Sequence, residues 1–260
     1  MIKAIFFDID GTLVPLGQDK IVDSALSSIK KLQEKGVKCV VCSGRDFREV
    51  GRGNDVLDKI KFDGIIASTG QYCADLDGNP FYIQSFDEIQ TKEVLSLFND
   101  KKYSICLKTE YGSYLNYVDS ISEEIFKQYD KKAWPVKEYQ GEKIYQAMLY
   151  IKKEEITDIK DRLNSLAITS WHPFMADLIS KDGGKSKGIM KYLEKENIDI
   201  SKTMAFGDSN NDIDMLKTVS IGVAMGNSSI ELKEIADYVT SDCLDDGILN
   251  ALKHFRHLLP

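Results

Sequence analysis

Several residue types are scarce in this sequence, and each scarcity removes a class of function. Three histidines in 260 residues, two of them near the end, are too few for a histidine-rich metal site. The five cysteines are Cys39, Cys42, Cys73, Cys106 and Cys243. Only Cys39 and Cys42 make a C-x-x-C spacing, and they fall in or beside an apolar run without a helix-start context, so they read as core and not as a redox pair. A reducing cytoplasm fits that usage. No apolar run approaches the roughly 20 residues needed to span a bilayer, so no membrane association is expected. The amino-terminal apolar run is broken by Asp8 and Asp10 and carries no cleavage-like segment, so a signal peptide is not expected. Basic tracts are short and the net charge is -7, from 34 basic and 41 acidic residues, which argues against a nucleic-acid surface. No G-x-G-x-x-G follows the first apolar run, which excludes the dinucleotide-binding fingerprint. No long heptad pattern exists, and a monomer or small homo-oligomer is expected.

What is present points to α/β organisation. With 43% hydrophobic and 29% charged residues, the chain can bury a large core in one or two domains. The organising stretch is the first, in which the apolar run 2–7 stops at Asp8–Ile9–Asp10–Gly11–Thr12. It reads as a buried parallel strand whose carboxyl end presents two carboxylates, followed by a glycine that permits a sharp turn. Two carboxylates so close repel one another, and a divalent cation with a preference for oxygen, such as Mg2+, would hold them together. A solvated turn ending a strand is the plainer reading of this segment alone.

The pattern then repeats. Residues 21–35 have a helical apolar period closed by Gly36, and residues 37–42 form a strand ending at Ser43–Gly44–Arg45, where a helix is predicted to start. Ser43 could contact an anion beside unpaired helix amides, or simply cap the helix. Residues 64–68 make a third strand, and Asp75–Leu76–Asp77–Gly78–Asn79 marks a hairpin turn. Between about residues 84 and 180 the order becomes αββαβαββ, a separate α+β unit with helices on one face of a sheet. One of those helices is placed by Ile156, Ile159 and Leu163, and most of the unit's tyrosines are assigned to its own packing. The domain assignment is 1–83 and 183–260 for a core with an open parallel sheet, and 84–182 for the insertion.

Beyond the insertion, the segment 181–188 is glycine-rich and charged and opens a helix. A lysine there would offset the carboxylates and grip an oxyanion. Lys187, which directly precedes the glycine and the helical pattern, is the preferred candidate, and Lys185 competes with it. Thr203–Met204–Ala205–Phe206–Gly207–Asp208–Ser209–Asn210–Asn211–Asp212 is a second apolar strand ending at a carboxylate. Asp208 would stand to its strand as Asp8 does to the first, so both could face one cation, with Asn211 and Asp212 supporting from one helical turn further on. An acidic helix start would explain the same residues. The acidic group at Asp242, Asp245 and Asp246 reads as a helix entry and not as a metal site, and the tail 254–260 as surface.

Asp8–Ile9–Asp10–Gly11–Thr12, Ser43–Gly44–Arg45, Lys187–Gly188 and Gly207–Asp208–Ser209–Asn210–Asn211–Asp212 together resemble the four motifs of the haloacid dehalogenase-like hydrolases, in order and spacing. The insertion resembles the C2B cap of the Cof-type subfamily IIB. The resemblance implies a Rossmann-like core with an inserted cap that selects substrate. It also implies Mg2+-dependent hydrolysis of small phosphate monoesters through an aspartyl-phosphate, with sugar phosphates the foremost class. Asp8 would be the nucleophile and Asp10 the general acid and then base. Ser43, Gly44, Lys187 and Asn211 would hold phosphate. Asp8, a backbone oxygen at Asp10, and Asp208 would hold Mg2+, with Asp212 behind them. Gln71, after Thr69–Gly70, departs from the asparagine–glycine–alanine-like stretch frequent in the family and bears on local substrate contacts. A phosphomutase of the same superfamily, or a metal-dependent binding module without catalysis, are the competing readings.

Overall fold

The first apolar run becomes β1, Ala4–Phe7, buried along its whole length in a computed structural model that describes residues 1–18, 20–50, 60–75, 77–129 and 132–260. Its sheet also contains β2 (Lys38–Cys42), β3 (Gly64–Ala67), β4 (Tyr72–Ala74), β5 (Pro80–Ile83), β11 (Thr203–Gly207), β12 (Ile221–Ala224) and β13 (Tyr238–Val239). The spatial order is β13-β12-β11-β1-β2-β3-β4-β5, parallel from β13 to β3 and antiparallel at β3–β4. The strands are apolar at nearly every position because both faces are covered. Ile5, Phe7, Cys39, Val41, Met204 and Phe206 pack with α1 (Asp23–Glu34) and α8 (Gly247–His254). Their neighbours Ala4, Phe6, Val40, Cys42 and Ala205 pack with α5 (Lys185–Glu196), α6 (Ile213–Thr218) and α7 (Ile230–Ile235).

This core unit comprises Met1–Tyr82 and Gly184–Pro260, and Ile83–Gly183 forms a second compact unit. The second unit contains α3 (Glu88–Asp100), β6 (Ser104–Thr109), β7 (Gly112–Leu115), α4 (Ser120–Gln128), β8 (Ile144–Tyr150), β9 (Leu166–His172) and β10 (Met175–Ser180). Its antiparallel sheet has the order β7-β6-β8-β10-β9. Helices cover both faces, not one as the sequence suggested. Val94, Leu97 and Phe98 of α3 pack on Ile105, Leu107 and Leu149, while Ile125 and Phe126 of α4 pack on Cys106, Met148 and Tyr150. The alternate positions of β6 and β8 are themselves apolar, so the second face also needs cover. Farther along that second face the buried residues turn polar, with Lys108, opposite Gln146 in the register, and Asp177, opposite Met148.

Local differences from the sequence reading have physical causes. The expected helix through Ile156, Ile159 and Leu163 is two 3-10 turns, Lys153–Asp158 and Lys160–Arg162, with Ile159 and Leu163 still buried as anchors. So short a segment between strands gains little from completing an α-helix. After Ser43 the helix α2 (Phe47–Val50) waits until Asp46, whose carboxylate accepts from the Arg48 N–H at 2.8 Å, has supplied the cap. At the β4–β5 hairpin, Asp75 Oδ1 accepts from the Asp77 and Asn79 N–H groups at 3.0 and 2.8 Å, and Leu76 lies outside the described residues. The tail is not simply surface, since Phe255, Leu258 and Leu259 pack on the core and Ile2 N–H donates to Leu258 O at 2.8 Å.

One glycine in α5 is a packing requirement. A Cβ at Gly188 would lie 2.5 Å from Ile66 Cγ2 in β3 and 3.1 Å from Cys73 Sγ in β4. Gly188→Ala should therefore destabilise the fold by about 1–3 kcal/mol through overpacking, against the roughly 1 kcal/mol that alanine gains in helix propensity. Urea unfolding monitored by circular dichroism measures the difference.

Candidate active site

The parallel strands share one carboxyl edge, and the chemically distinctive residues stand just past it. Asp8 follows β1, Ser43 follows β2, and Asp208 follows β11. Asp8 N–H donates to Phe206 O at 3.0 Å, which carries the β1–β11 pairing one residue beyond the strand and brings the two aspartates to neighbouring tips.

Lys185, the first residue of α5, sends its side chain into this edge and is fully buried. Its Nζ donates to Asp8 Oδ1 at 2.5 Å and to Asp212 Oδ1. Lys187, the lysine preferred from the sequence, is exposed on α5 and takes no part. The Lys187 reading is thus corrected. Two residues along a helix turn the side chain by about 200°, so only one of the pair can point at the sheet edge, and the glycine-rich approach leaves that place to the first helical residue.

Asp212 is well supplied with donors. Besides Lys185, it accepts from Asp208 N–H at 3.0 Å and Ser209 N–H at 3.1 Å through Oδ2. Asp208 is the opposite case, because its Oδ1 is buried with no hydrogen-bond partner. The same carboxylate lies against Gly11, where a Cβ would fall 2.2 Å from Asp208 Oδ2. Gly11 has φ +84°, so both its backbone and its missing side chain are required there. Asn227 fixes that loop, donating from Nδ2 to Gly11 O at 2.8 Å and accepting from Cys243 N–H at 3.0 Å. Asn227 was not singled out from the sequence; an asparagine after a glycine turn gives no signal of a partner 216 residues away.

Asp10 does not join the carboxylate cluster with its side chain. Arg45 holds it in a bidentate pair, Nε to Oδ2 at 2.8 Å and Nη2 to Oδ1, and the Asp10 side chain is 43% exposed. Ser43 is buried, and its Oγ accepts from Arg45 N–H at 3.1 Å, leaving the hydroxyl proton to give. Gly44 is half-buried beside it. Asn211 accepts from Ser209 Oγ at 2.7 Å. Asp242 caps the turn Cys243–Asp245 through Leu244 N–H at 2.9 Å, as a helix entry would.

The electrostatics ask for a cation. Burial pushes the Asp8 carboxyl up to about 7, with Lys185 pulling it down and Asp212 and Asp10 pushing it further up. Burial, then Asp8 and Asp212, push Asp208 up to about 9. Lys185 is disfavoured as a cation by burial, yet Asp212 and Asp8 hold it well above its ordinary value. One ammonium thus serves a set of buried carboxylates that repel one another. Asp8, Asp208 and Asp212 each bring an oxygen within 4.8 Å of the others, the only such cluster among the described residues. Both Asp212 oxygens already accept from protein donors, whereas Asp208 Oδ1 accepts from none. An all-oxygen set with an unpartnered buried carboxylate oxygen fits Mg2+.

Comparison with known proteins identifies this arrangement. The family description of haloacid dehalogenase-like hydrolases matches residues 5–252. The chain belongs to the haloacid dehalogenase-like hydrolases. Within that family it is 31% identical over 256 residues to YkrA of Bacillus subtilis, covering 96% of both chains. It is 25% identical over 260 residues to the 5-amino-6-(5-phospho-D-ribitylamino)uracil phosphatase YcsE of the same organism, covering 98% of this chain and 96% of the other. The solved subclass IIB sugar phosphatase BT4131 superposes with a TM-score of 0.89 at 29% identity, over 98% of this chain and 99% of that one. This hydrolase therefore shares the IIB architecture of core and inserted cap.

Two outcomes follow from the charges. From about pH 4 the folded, cation-free chain keeps protons that the unfolded chain has released, on Asp8 up to about pH 7 and on Asp208 up to about pH 9, so these groups make stability fall as pH rises. In EDTA the melting temperature should drop from about pH 5 to about pH 9, and the increment given by Mg2+ should grow over that range. Scanning calorimetry with and without Mg2+ reads both slopes. Lys185→Met should lower turnover on the order of 10²-fold or more, whereas Lys187→Met should stay within about twofold, as measured by steady-state phosphate release.

Proposed function

We propose that this hydrolase acts as a Mg2+-dependent phosphatase on small phosphorylated metabolites, sugar phosphates foremost. The observation that carries the reading is the buried Asp8–Lys185–Asp212 chain beside Asp208, whose one oxygen has no partner. Asp8, a backbone oxygen of Asp10 and Asp208 are the groups proposed to hold Mg2+. The ion would draw charge from the phosphoryl oxygens as the ester bond breaks.

Asp8 is then the nucleophile. Lys185 fixes one of its oxygens, and the other attacks phosphorus, forming an aspartyl-phosphate as the ester oxygen departs. Asp10 gives its proton to that oxygen, so the alcohol leaves neutral. Asp10 next takes a proton from water, whose oxygen attacks phosphorus; inorganic phosphate leaves and Asp8 is regenerated. The Ser43 hydroxyl, the main chain at Gly44, Asn211 and the Lys185 ammonium supply positive or donor groups for the equatorial oxygens. To deliver its proton, Asp10 must turn from the Arg45 fork that holds it here.

The preference for hydroxyl-rich leaving groups has two supports. BT4131 is a sugar phosphatase, and the substrate named for YcsE carries a phosphorylated ribityl chain. Five buried cysteine thiols outside any disulfide suit a reducing cytoplasm, and no helix among the described residues is long and apolar enough to cross a membrane. We place the protein there as a monomer or small homo-oligomer.

A phosphate-release screen over hexose, pentose and polyol phosphates, with and without Mg2+, tests the reading. Release should require Mg2+, be fastest on sugar or polyol esters, and fall by about 10³-fold or more in Asp8→Asn. Conversion of a sugar 1-phosphate chiefly to its 6-phosphate isomer would replace the hydrolase by a mutase. Turnover unchanged in Asp8→Asn would remove the nucleophile assignment.

A further inference from the structure

The helix that presents Lys185 begins in an unusual way. Its N-cap is Gly184, with φ +106°, which offers no side chain to accept the first helical N–H groups. Its first residue is a lysine, placed at the positive end of the helix dipole. Both defects are met from another element. Asp214, in the first turn of α6, accepts from Ser186 N–H through Oδ2 at 3.0 Å. It does so at such close range that a Cβ on residue 184 would lie 2.4 Å from that oxygen. Asp214 is itself fixed, with Oδ1 accepting from Met215 N–H at 2.7 Å and its carbonyl accepting from Thr218 Oγ1 at 2.8 Å. On the far side, Gly70 presses on the same turn, where a Cβ would fall 1.9 Å from Gly184 O.

We infer that Asp214 is a positioning residue for Lys185, resting on the phosphatase reading above. Asp212 takes the ammonium, and Asp214, two residues on, takes the main chain from which that ammonium extends. One short segment, 208–214, therefore carries the proposed cation ligand Asp208 and both anchors of the lysine. A lysine side chain has four rotatable bonds, so the ammonium is fixed only if its two ends are. Release of the cap lets the first turn of α5 fray, and the Nζ then leaves the place where it meets both Asp8 and the transferring phosphoryl group.

Asp214→Ala, Asp214→Asn and Asp87→Ala decide the matter. Asp87 caps α3 in the inserted unit through Gln90 N–H at 2.8 Å, and its loss reports the effect of losing an ordinary cap. Asp214→Ala should lower kcat about 10- to 100-fold at saturating Mg2+, with Mg2+ affinity unchanged and inorganic phosphate bound more weakly by calorimetry. Asp214→Asn, which keeps an accepting oxygen, should restore kcat to within about threefold, and Asp87→Ala should lower the melting temperature without a comparable loss of kcat. The buried Lys185 ammonium should give a protected nitrogen NMR signal in wild type and Asp214→Asn that broadens in Asp214→Ala. That readout needs no turnover, so absence of phosphatase activity in the wild type would sink the functional reading while leaving this one to be judged by the signal. An unaltered signal in Asp214→Ala, or a kcat loss no greater than that of Asp87→Ala, overturns the proposal.

Discussion

The structure of the sheet edge depends on one buried ammonium. Lys185 has no solvent exposure, nor has Asp212, and Asp8 has almost none. Placing such charges out of water costs several kcal/mol for each ion, and stripping one partner from a buried pair costs about 3–5 kcal/mol. The geometry around Lys185 is therefore over-determined: carboxylates at its tip, a carboxylate at its main chain, and glycines wherever another chain must come close. β1, β11 and α5 cannot shift independently without separating these charges.

Around that fixed pair, the remaining aspartates divide by how far the protein satisfies them. Asp212 is supplied with donors from three residues and serves as internal framework. Asp208 keeps an oxygen without a partner, held between the Gly11 loop and its own strand. Asp10 sits more openly and is gripped by Arg45. A framework group, a group left wanting a cation and a group with a releasable partner are three different tasks for one residue type. Their environments, not their identities, separate them.

Much of this was legible in the sequence because strand tips announce themselves. An apolar run that stops at Asp8, and another that stops at Asp208, fixed the two strands and the convergence of their carboxylates. The residue pattern changes near residue 84, beside the start of the compact unit Ile83–Gly183. Choosing between Lys185 and Lys187 was not possible by local reading, because both precede a helical period and only the direction of the first turn separates them. Asn227, Asp214 and the Arg45–Asp10 pair were illegible for a related reason: each acts on a partner distant in the chain, and nothing near it in sequence betrays that partner. The two-sided cover of the inserted sheet was missed, although Cys106, Met148 and Tyr150 alternate with the residues of the opposite face. They make the runs 105–107 and 147–151 apolar at every position, which is the pattern of a strand buried on both faces.

The order in which a ribosome would deliver these parts has its own consequence. Asp8 is made first, but the lysine that neutralises it comes 177 residues later, after the whole inserted unit. Until β11 arrives, β1 has a neighbour on only one side. The nascent core must therefore wait, with an apolar edge and an uncompensated acid, while Ile83–Gly183 folds as a body of its own. Contacts closed over so long a loop form late and slowly. The charged centre can close only once Lys185 and Asp212 have been made, with β12, β13, α7 and α8 still to follow, and a chain cut short before α5 would lack its lysine.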